Sequence, residues 1–383
     1  MSRILFFSNF LNQHQLPLCD AFIKQGVEFH FIAMERTPAS RLSGGYEDMN
    51  EQYPFVVKGY EDGFSAETWI DQADAVIIGG FQANPAILSL CDRKNIPFFY
   101  YSERLYKRGT WTRFHPRAAR FVREHFLDYQ NNPMFHVLCA SSYLPDDLAL
   151  WNFPKDKCLK WGYFPSVNAG SDDVDSPSRD VDLLFAGRML DWKHPEDLLT
   201  IVRHRKQINQ PVHAVMIGGG PEADHVKRTI ARYGLENNVA YPGPQPYTEV
   251  YRWMRRSRVF VFSSDRHEGW GAVLNEAMQS GCACLAATEA GSTAWLIQDG
   301  ITGLCYSHGI HQKKELLSRA DQLLDDEALR KVIARQGKHA IDTLWNADHA
   351  VQQLLMFLKD PAYHPLAGPI SSVSMEDIQK ESV

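Results

Sequence analysis

The sequence lacks any long hydrophobic run. Its longest apolar stretches, such as residues 75–78 and 259–262, are four residues long, whereas a helix that crosses a bilayer needs about 20. The N-terminal segment has one short apolar run but neither the hydrophobic region nor the small-residue cleavage site of a secretory signal. We therefore expect a cytoplasmic protein.

Paired cysteines and an excess of basic residues are also lacking. The seven cysteines are odd in number and lie mostly in apolar segments, which favours buried thiols in a reducing compartment over a disulfide framework. Cys282 and Cys284 form a C-x-C step with no second pair nearby, so a zinc site is not expected. The formal net charge is −6, which argues against a polyanion such as nucleic acid bound over the whole surface.

The chain is instead a globular α/β sequence of two-domain length. Its 383 residues are 44% hydrophobic and 22% charged, and this length allows each of two domains to bury a core. Continuous apolar runs alternate with amphipathic stretches, a pattern that predicts parallel strands covered by helices. Strands are predicted in the first half at residues 4–7, 27–34, 73–80, 96–103, 135–140 and 157–164.

The same pattern restarts after a polar stretch rich in Ser, Asp, Gly and Pro. Strands are predicted there at residues 181–187, 212–218, 238–243, 259–264 and 283–287. We predict two tandem Rossmann-like, doubly wound domains with a ligand cleft between them. The predicted segments are a first domain at 1–165, a linker at 166–180, a second domain at 181–345, a helix at 346–360 that packs back toward the first domain, and a polar tail at 361–383.

The stretch HEGWGAVLNEAMQSG, residues 267–281, follows a predicted strand and opens a helix. Gly269 and Gly271 permit close approach of a ligand to the backbone, and the helix N-terminus favours phosphate. Glu268 and Glu276 are eight positions apart, or about 12 Å along a helix axis. Paired glycosidase carboxylates are about 5–9.5 Å apart, so two contacts to separate ends of one ligand are favoured over a shared acid/base role. Exposed surface charge is the alternative.

Two further segments follow other strands of the same half. GRMLDWK, residues 187–193, places Arg188 and Lys193 at a strand end, where both suit phosphate oxygens, with a solvated turn as the alternative. MIGGGPE, residues 216–222, suits a ligand-facing turn but does not fit the G-x-G-x-x-G dinucleotide motif. Because all three segments follow strands of one parallel sheet, we expect them to face one crevice.

These segments resemble the donor-binding half of the retaining GT-B glycosyltransferases of family GT4. The signature of that family is Glu-x7-Glu in an EGxGxxxxEAMxxG context, here Glu268 to Glu276 followed by Ala277, Met278 and Gly281. The resemblance covers residues 181–306 and is thin in the first half. It implies the GT-B fold and donor binding in the second domain.

The resemblance assigns roles to the matching residues. Arg188 and Lys193 are expected to hold the donor diphosphate, Glu268 the donor sugar and Glu276 the ribose hydroxyls. Arg188, Lys193 and Glu268 are the expected catalytic residues of the donor side. The other implied donor-binding positions are Gly187, Gly218, Gly219, Gly220, Gly243, Gly269, Trp270, Gly271, Ala272, Val273 and Leu274.

The chain departs from the family at two places. Trp295 occupies a position where a glutamate is usual, which weakens any inference about contacts there. Glu103 occupies a position on the acceptor side where many relatives carry histidine. His14, in the loop after the first strand, is the remaining acceptor-side and catalytic candidate, and an ordinary polar loop residue is its alternative.

The family implies no cofactor and no required metal. Asp173 and Asp175 have the spacing of a metal motif but fall in the predicted linker. The expected donor is a nucleotide-diphosphate sugar, with UDP favoured over GDP. Retention is expected through a same-face displacement assisted by the leaving phosphate, with closure of the two domains excluding water.

Residues 104–123 contain seven Lys or Arg residues, several aromatics and no acid. No RNA-binding signature accompanies them. They suit either a solvated basic helix and loop or a surface for an anionic membrane face or a lipid-linked acceptor. The resemblance to GT4 implies a hexosyltransferase, and we expect it to act in surface polysaccharide or glycolipid synthesis, cytoplasmic or peripheral on the inner face of the plasma membrane. The alternatives are a nucleotide-sugar epimerase of the same fold and a non-catalytic nucleotide-sugar-binding subunit.

Overall fold

The computed structural model describes residues 2–39, 47–80, 85–165, 174 and 179–373. The chain divides into two compact units, Met1–Pro165 with Asn346–Val383, and Ser166–Trp345. Of the predicted linker, residues 174, 179 and 180 are described. The Asp173–Asp175 spacing considered for a metal lies outside the described residues.

The first unit is built on a parallel sheet of seven strands in the order β3-β2-β1-β4-β5-β6-β7. The central strands are fully buried because they are continuous apolar runs, as the sequence predicts. The strands are β1 Arg3–Ser8, β2 Glu28–Ala33, β3 Val56–Lys58, β4 Ala75–Gly79, β5 Phe98–Ser102, β6 Phe135–Cys139 and β7 Cys158–Lys160.

Helices fill the connections of this sheet. They are α1 Leu16–Lys24, α2 Ala66–Ile70, α3 Pro85–Lys94, α4 Pro116–His125 and α5 Leu144–Ala149. A further helix, α13 Ala347–Lys359, belongs to the same unit and packs on α1. The Gln25 side chain donates to the Asp348 carbonyl over 2.7 Å, and Phe357 packs on Phe99 and His136 with ring centroids 6.1 and 4.9 Å away.

The segment after α13 differs in part from the expected polar tail. Ile370 and Ser371 are buried. The Ile370 N–H donates to the Lys160 carbonyl over 2.8 Å, and the Lys160 N–H donates to the Ser371 carbonyl over 3.1 Å. The exposed edge of β7 offers unpaired backbone groups, so this short segment satisfies them.

The second unit is built on a parallel sheet of six strands in the order β10-β9-β8-β11-β12-β13. The strands are β8 Val181–Ala186, β9 Ala214–Ile217, β10 Val239–Gly243, β11 Ser257–Phe262, β12 Ala283–Ala287 and β13 Leu304–Tyr306. The helices are α6 Glu196–Gln207, α7 Ala223–Arg232, α8 Tyr247–Arg256, α9 Ala272–Gln279, α10 Thr293–Leu296, α11 Gln312–Asp325 and α12 Glu327–Thr343. The prediction of two parallel α/β units is therefore confirmed.

The cysteines behave as small buried hydrophobic residues. All seven are free thiols, and six of them are buried. No helix within the described residues is both long and apolar enough to cross a membrane.

Candidate functional site

The candidate site lies at the carboxyl ends of β8 and β11, the central pair of the second sheet. The chain moves outward from β8 through β9 to β10 and then crosses back to β11. In an open parallel sheet this reversal leaves a crevice at the strand ends, where ligands bind. The segments 187–193 and 263–271 follow these two strands directly.

Two hydrogen bonds hold these segments together. The Asp265 N–H donates to the Trp192 carbonyl over 2.9 Å, and the Ser263 hydroxyl donates to the Lys193 carbonyl over 2.8 Å. Because both bonds use the backbone of the first segment, they fix the direction in which the Lys193 side chain leaves the loop.

Lys193 and Glu268 form an ion pair between the two segments. Their side chains are only 13% and 14% exposed, so solvent screens the pair weakly. The Ser264 hydroxyl donates to the same Glu268 oxygen over 3.0 Å. The cation expected at a diphosphate and the carboxylate expected at a sugar are therefore neighbours.

Arg188 lies one residue beyond the first turn after β8. It is exposed, and its guanidinium forms neither a hydrogen bond nor an ion pair with any residue that the structure describes. A guanidinium that makes no bond to these residues can turn its donors toward an incoming anion.

The start of α9 has the geometry of an anion site. Gly271 caps the helix in the left-handed region with a φ of 90°, and a Cβ there would lie 2.3 Å from the ring of Phe262. The helix then begins at Ala272, so the N–H groups of Ala272 and Val273 precede the first intrahelical hydrogen bond. The Leu274 N–H instead donates to the Gly271 carbonyl over 2.9 Å, which makes Leu274 a weaker candidate for ligand contact.

Trp270 anchors this turn from the inside. Its side chain is fully buried, and its indole N–H donates to the Asn275 side-chain oxygen over 2.9 Å. The Ser292 N–H donates to the Trp270 carbonyl over 3.2 Å. Ligand contact at Trp270 is therefore restricted to its backbone N–H, while its side chain holds the turn in place.

Glu276 is buried in the middle of α9, one turn after its start, and is only 5% exposed. Burial raises the pKa of its carboxyl from an ordinary 4.5 to about 7, although the Tyr247 hydroxyl donates to it and works in the opposite direction. That hydrogen bond is 3.2 Å long. A buried carboxylate with one weak donor has room to accept hydrogen bonds from a diol.

The glycine-rich turn after β9 packs against the segment after β8. A Cβ on Gly218 would lie 1.8 Å from the Gly187 carbonyl oxygen, so a side chain there is excluded. The Met189 N–H donates to the Gly219 carbonyl over 2.9 Å, and the Gly218 N–H donates to the Gly243 carbonyl over 3.0 Å. The structure therefore brings five of the predicted glycines together beside β8: Gly187, Gly218, Gly219, Gly220 and Gly243.

His14 and Glu103 lie in the first unit and share Tyr163 as a neighbour. The Tyr163 hydroxyl donates to Glu103 over 2.9 Å, and its ring centroid is 6.3 Å from that of His14. Lys107 forms an ion pair with Glu103 over 2.5 Å. These residues form a polar cluster after β1, β5 and β7.

The basic segment 104–123 is less uniformly cationic than its sequence indicates. Arg104 is largely buried and faces Asp147 at 3.6 Å. Arg120 and Arg123 pair with Glu124 over 2.7 and 3.7 Å. Two large aromatic side chains are exposed beside them, Trp111 at 69% and Phe114 at 76%.

Four neighbours of the predicted residues were not identified from the sequence: Ser264, Tyr247, Tyr163 and His194. Ser264 ends the predicted strand 259–264 and lies four residues before Glu268, so the sequence spacing alone is compatible with this contact. Tyr247 and Tyr163 reach their carboxylates from 29 and 60 positions away, and no local pattern reveals such contacts.

Residues 170–340 match the family model described as "Glycosyl transferases group 1". The uncharacterized glycosyltransferase MJ1069 of Methanocaldococcus jannaschii is 23% identical over 174 residues, or 45% of this chain and 43% of that relative. The aligned segment is thus less than half of either protein.

Solved structures share the fold over nearly the whole chain. The crystal structure of Anabaena Alr3699/HepE in complex with UDP covers 94% of this chain and 100% of that chain, at 15% identity and a TM-score of 0.66. A glycosyltransferase from Rickettsia africae ESF-5 covers 94% of this chain and 98% of that chain, at 16% identity and a TM-score of 0.66.

Proposed function

We propose that this chain, a GT-B-fold protein whose residues 170–340 match the family model of the group 1 glycosyl transferases, transfers a sugar from a nucleotide donor to an acceptor. The donor is a UDP-sugar, and the acceptor is a saccharide or a lipid-linked saccharide. The anomeric configuration is retained. The reaction serves the assembly of a cell-surface polysaccharide or glycolipid.

The observation that supports this proposal best is the order of charges at one strand-end crevice. The Lys193–Glu268 pair stands on one side of the α9 start, and the buried Glu276 carboxyl lies beyond it on the same helix. A nucleotide-diphosphate sugar has the matching order of groups: sugar hydroxyls, two phosphates and a ribose diol.

The proposed roles follow from this order. Glu268 accepts hydrogen bonds from the donor sugar, and Glu276 accepts them from the ribose. Lys193, Arg188 and the first N–H groups of α9 neutralise the diphosphate as it leaves, which stabilises charge that develops in the transition state. Donor binding then requires Lys193 to share its ammonium between Glu268 and phosphate.

UDP is supported by a structural likeness. Anabaena Alr3699/HepE has been crystallised with UDP and with UDP-glucose. Both ribose hydroxyls are present in UDP and in GDP, so the Glu276 contact alone does not distinguish the two bases. A donor panel is therefore part of the test.

Retention is proposed through displacement on one face of the sugar. The acceptor hydroxyl oxygen bonds to the anomeric carbon as the bond to the diphosphate oxygen breaks, and the hydroxyl proton passes to the departing phosphate oxygen. The residues of the first unit around His14, Glu103 and Tyr163 are proposed to bind the acceptor.

The test measures nucleotide release from UDP-, GDP-, ADP- and dTDP-sugars, with and without an acceptor extract. We expect turnover with a UDP-sugar, and we expect the product to keep the donor's anomeric configuration by NMR. Lys193→Ala and Glu276→Ala should each lose turnover, whereas Glu236→Gln, at an exposed position on the same unit, should not. The enzyme assignment fails if no donor reacts or binds, and the site assignment fails if both alanine variants match the wild type.

We further propose that the exposed aromatic pair and the basic helix α4 contact an anionic membrane face. Trp111 and Phe114 lie on one 3₁₀ turn, Thr110–Phe114, directly before α4. Exposed aromatics beside arginines suit the headgroup region, where rings insert and cations meet anionic lipids. This contact would bring the acceptor-binding unit to a lipid-linked acceptor.

Sedimentation with vesicles tests the membrane contact. Wild-type protein should pellet with phosphatidylglycerol-containing vesicles at low salt and should be released at high salt. The Trp111→Ala/Phe114→Ala variant should bind less, while Leu366→Ala, at another exposed apolar side chain, should bind as the wild type does. Equal binding to neutral vesicles, or none to anionic ones, would refute the membrane contact.

A further inference from the structure

His194 has a backbone conformation that its residue type disfavours. It follows Lys193 directly and ends the 3₁₀ turn Asp191–Lys193 with φ 43° and ψ 53°. Residues other than glycine rarely adopt this left-handed conformation, because the Cβ approaches the backbone. A persistent conformation of this kind at a binding loop indicates that surrounding contacts hold it there.

The imidazole of His194 supplies such contacts. Nε2 donates to Asp265 Oδ2 over 3.3 Å, and Nδ1 donates to Glu196 Oε1 over 3.4 Å. Burial acts to lower the pKa of His194, but its hydrogen bonds to Asp265 and Glu196 outweigh burial and raise the pKa to about 10. The ring is therefore an imidazolium at neutral pH, and both of its nitrogens are donors.

Asp265 is held from the other side as well. The N–H and the ring nitrogen of His267 each lie 2.8 Å from Asp265 Oδ1. Burial acts to raise the pKa of Asp265, but hydrogen bonds from His194 and His267 outweigh it and lower the pKa. Asp265 is three residues before Glu268, and its carbonyl accepts the Glu268 N–H over 3.0 Å.

Other charged groups surround this pair. The ring centroids of His308 and His194 are 4.4 Å apart. The Nε2 atom of His308 lies 3.6 Å from a carboxylate oxygen of Asp197, and its Nδ1 atom lies 3.9 Å from one of Glu289. Glu196, Asp197, Asp265 and His308 lie around the His194 ring. Three further titratable groups adjoin its neighbours: Lys193 precedes it in the chain, His267 contacts Asp265 and Glu289 lies near His308. Acidic groups dominate around the His194–His308 pair, which keeps the imidazolium favoured.

We propose that His194 is a positioning residue whose imidazolium fastens the Lys193 segment to the Glu268 loop through Asp265. The importance of His194 for donor binding rests on the proposed function, because Lys193 and Glu268 are the groups that it positions. His194 joins the segment that ends in Lys193, the cation proposed to bind the diphosphate. Asp265 belongs to the loop that carries Glu268, the carboxylate proposed to bind the sugar.

Hydrogen–deuterium exchange on the unliganded protein tests the fastening without any donor. His194→Asn keeps a residue that tolerates a left-handed backbone but removes the charge, and His194→Gly removes both the charge and the backbone strain. Both should raise deuterium uptake in peptides that cover 187–193 and 263–271. If uptake there is unchanged in both variants, the proposal is wrong.

His204→Asn is the matched control. His204 pairs with Asp321 over 3.1 Å in the same unit, and its side chain is 27% exposed, as is that of His194. This variant should leave uptake in the two loops unchanged. Equal uptake changes in the His194 and His204 variants would show a general loss of stability and would overturn the fastening.

Binding of UDP-glucose then tests the link to the donor. The two His194 variants should bind about tenfold more weakly than the wild type, because small displacements of positioning groups have large effects. The ratio of wild-type to His194→Asn affinity should be constant from pH 6 to pH 8 and should fall toward one near pH 10. Unchanged affinity in the variants would refute the positioning role, whereas a wild type that binds no nucleotide would refute the proposed function and leave the exchange result to decide the fastening.

Discussion

At the scale of single residues, a simple substitution experiment can test the contribution of the largely buried Lys193–Glu268 ion pair to stability. Lys193→Met leaves the Glu268 carboxylate largely buried and without its cation, and we expect a loss of about 3 kcal/mol in the free energy of unfolding. The double variant Lys193→Met/Glu268→Gln should recover most of that loss, because no buried charge is left unpaired. Chemical denaturation of the three proteins gives the comparison.

An exposed ion pair provides the reference for this measurement. Lys227 and Asp224 are 63% and 80% exposed and lie 3.8 Å apart, so Lys227→Met should change stability by less than about 1 kcal/mol. If Lys193→Met lowers the free energy of unfolding by as little as Lys227→Met does, the Lys193–Glu268 pair does not stabilise the fold as proposed.

Glu276 predicts a dependence of stability on pH. Its carboxyl has a pKa of about 7 in the folded protein and an ordinary value of 4.5 in the unfolded chain, so between these values the folded state holds more protons. Folded-state stability from this group is fully present below pH 4.5 and is lost as the pH rises through 7. Relative to Glu276→Gln, the wild type should lose about 3 kcal/mol between pH 4 and pH 8.

The same carboxyl predicts the pH dependence of donor binding. Ribose hydroxyls donate to the ionised form, so UDP-glucose affinity should weaken as the pH falls from 7 to 6, and Glu276→Gln should bind more weakly but independently of pH over this range. Titration calorimetry at several pH values measures both curves. Parallel curves for the two proteins would contradict the assignment of Glu276 to the ribose.

At the scale of elements, the start of α9 depends on one glycine. Gly271→Ala forces alanine into the left-handed backbone region and places its Cβ 2.3 Å from the ring of Phe262. We expect a loss of about 3 kcal/mol in the free energy of unfolding, together with loss of nucleotide binding. Gly300→Ala is the matched control, since its φ is 80° but nothing lies within 4 Å of the added Cβ. It should cost only about 1–2 kcal/mol, and equal losses in the two variants would show that the contact with Phe262 does not matter.

Most of the sheet could be predicted from the sequence because each central strand is a continuous apolar run. The strands Val56–Lys58 and Leu304–Tyr306 were not predicted as strands, and both are three residues long. A run this short has too few residues to show a period, and its strand character comes from pairing with a neighbour. The buried segment around Ile370 was missed for the same reason, since backbone pairing with Lys160 holds it.

The site was only partly predictable. The sequence placed Lys193, Glu268 and Glu276 on the correct loops and helix because the motif is local. It did not reveal that Lys193 and Glu268 pair, since the two are 75 positions apart, or that Glu276 is buried beside Tyr247. Such contacts depend on how strands are ordered in the sheet, which a local pattern does not encode.

At the scale of the whole molecule, the chain returns to its first unit after completing the second. Phe357 of α13 is 2% exposed and packs on Phe99 and His136, so Phe357→Ala should destabilise the first unit by about 3–5 kcal/mol. Met356, its neighbour in sequence, is 39% exposed, and Met356→Ala should have little effect. Hydrogen exchange should show faster opening of β5 and β6 in the first variant, and no change there would contradict this packing role.

The proposed function depends above all on binding of a UDP-sugar by the second unit through Lys193, Glu268 and Glu276. Titration calorimetry with UDP-glucose on the wild type, Lys193→Ala, Glu276→Gln and the control Glu236→Gln tests it most directly. We expect saturable binding by the wild type and the control, with an affinity at least about tenfold weaker in the two site variants. Equal affinity in all four proteins, or no binding of any UDP-sugar by the wild type, would contradict it.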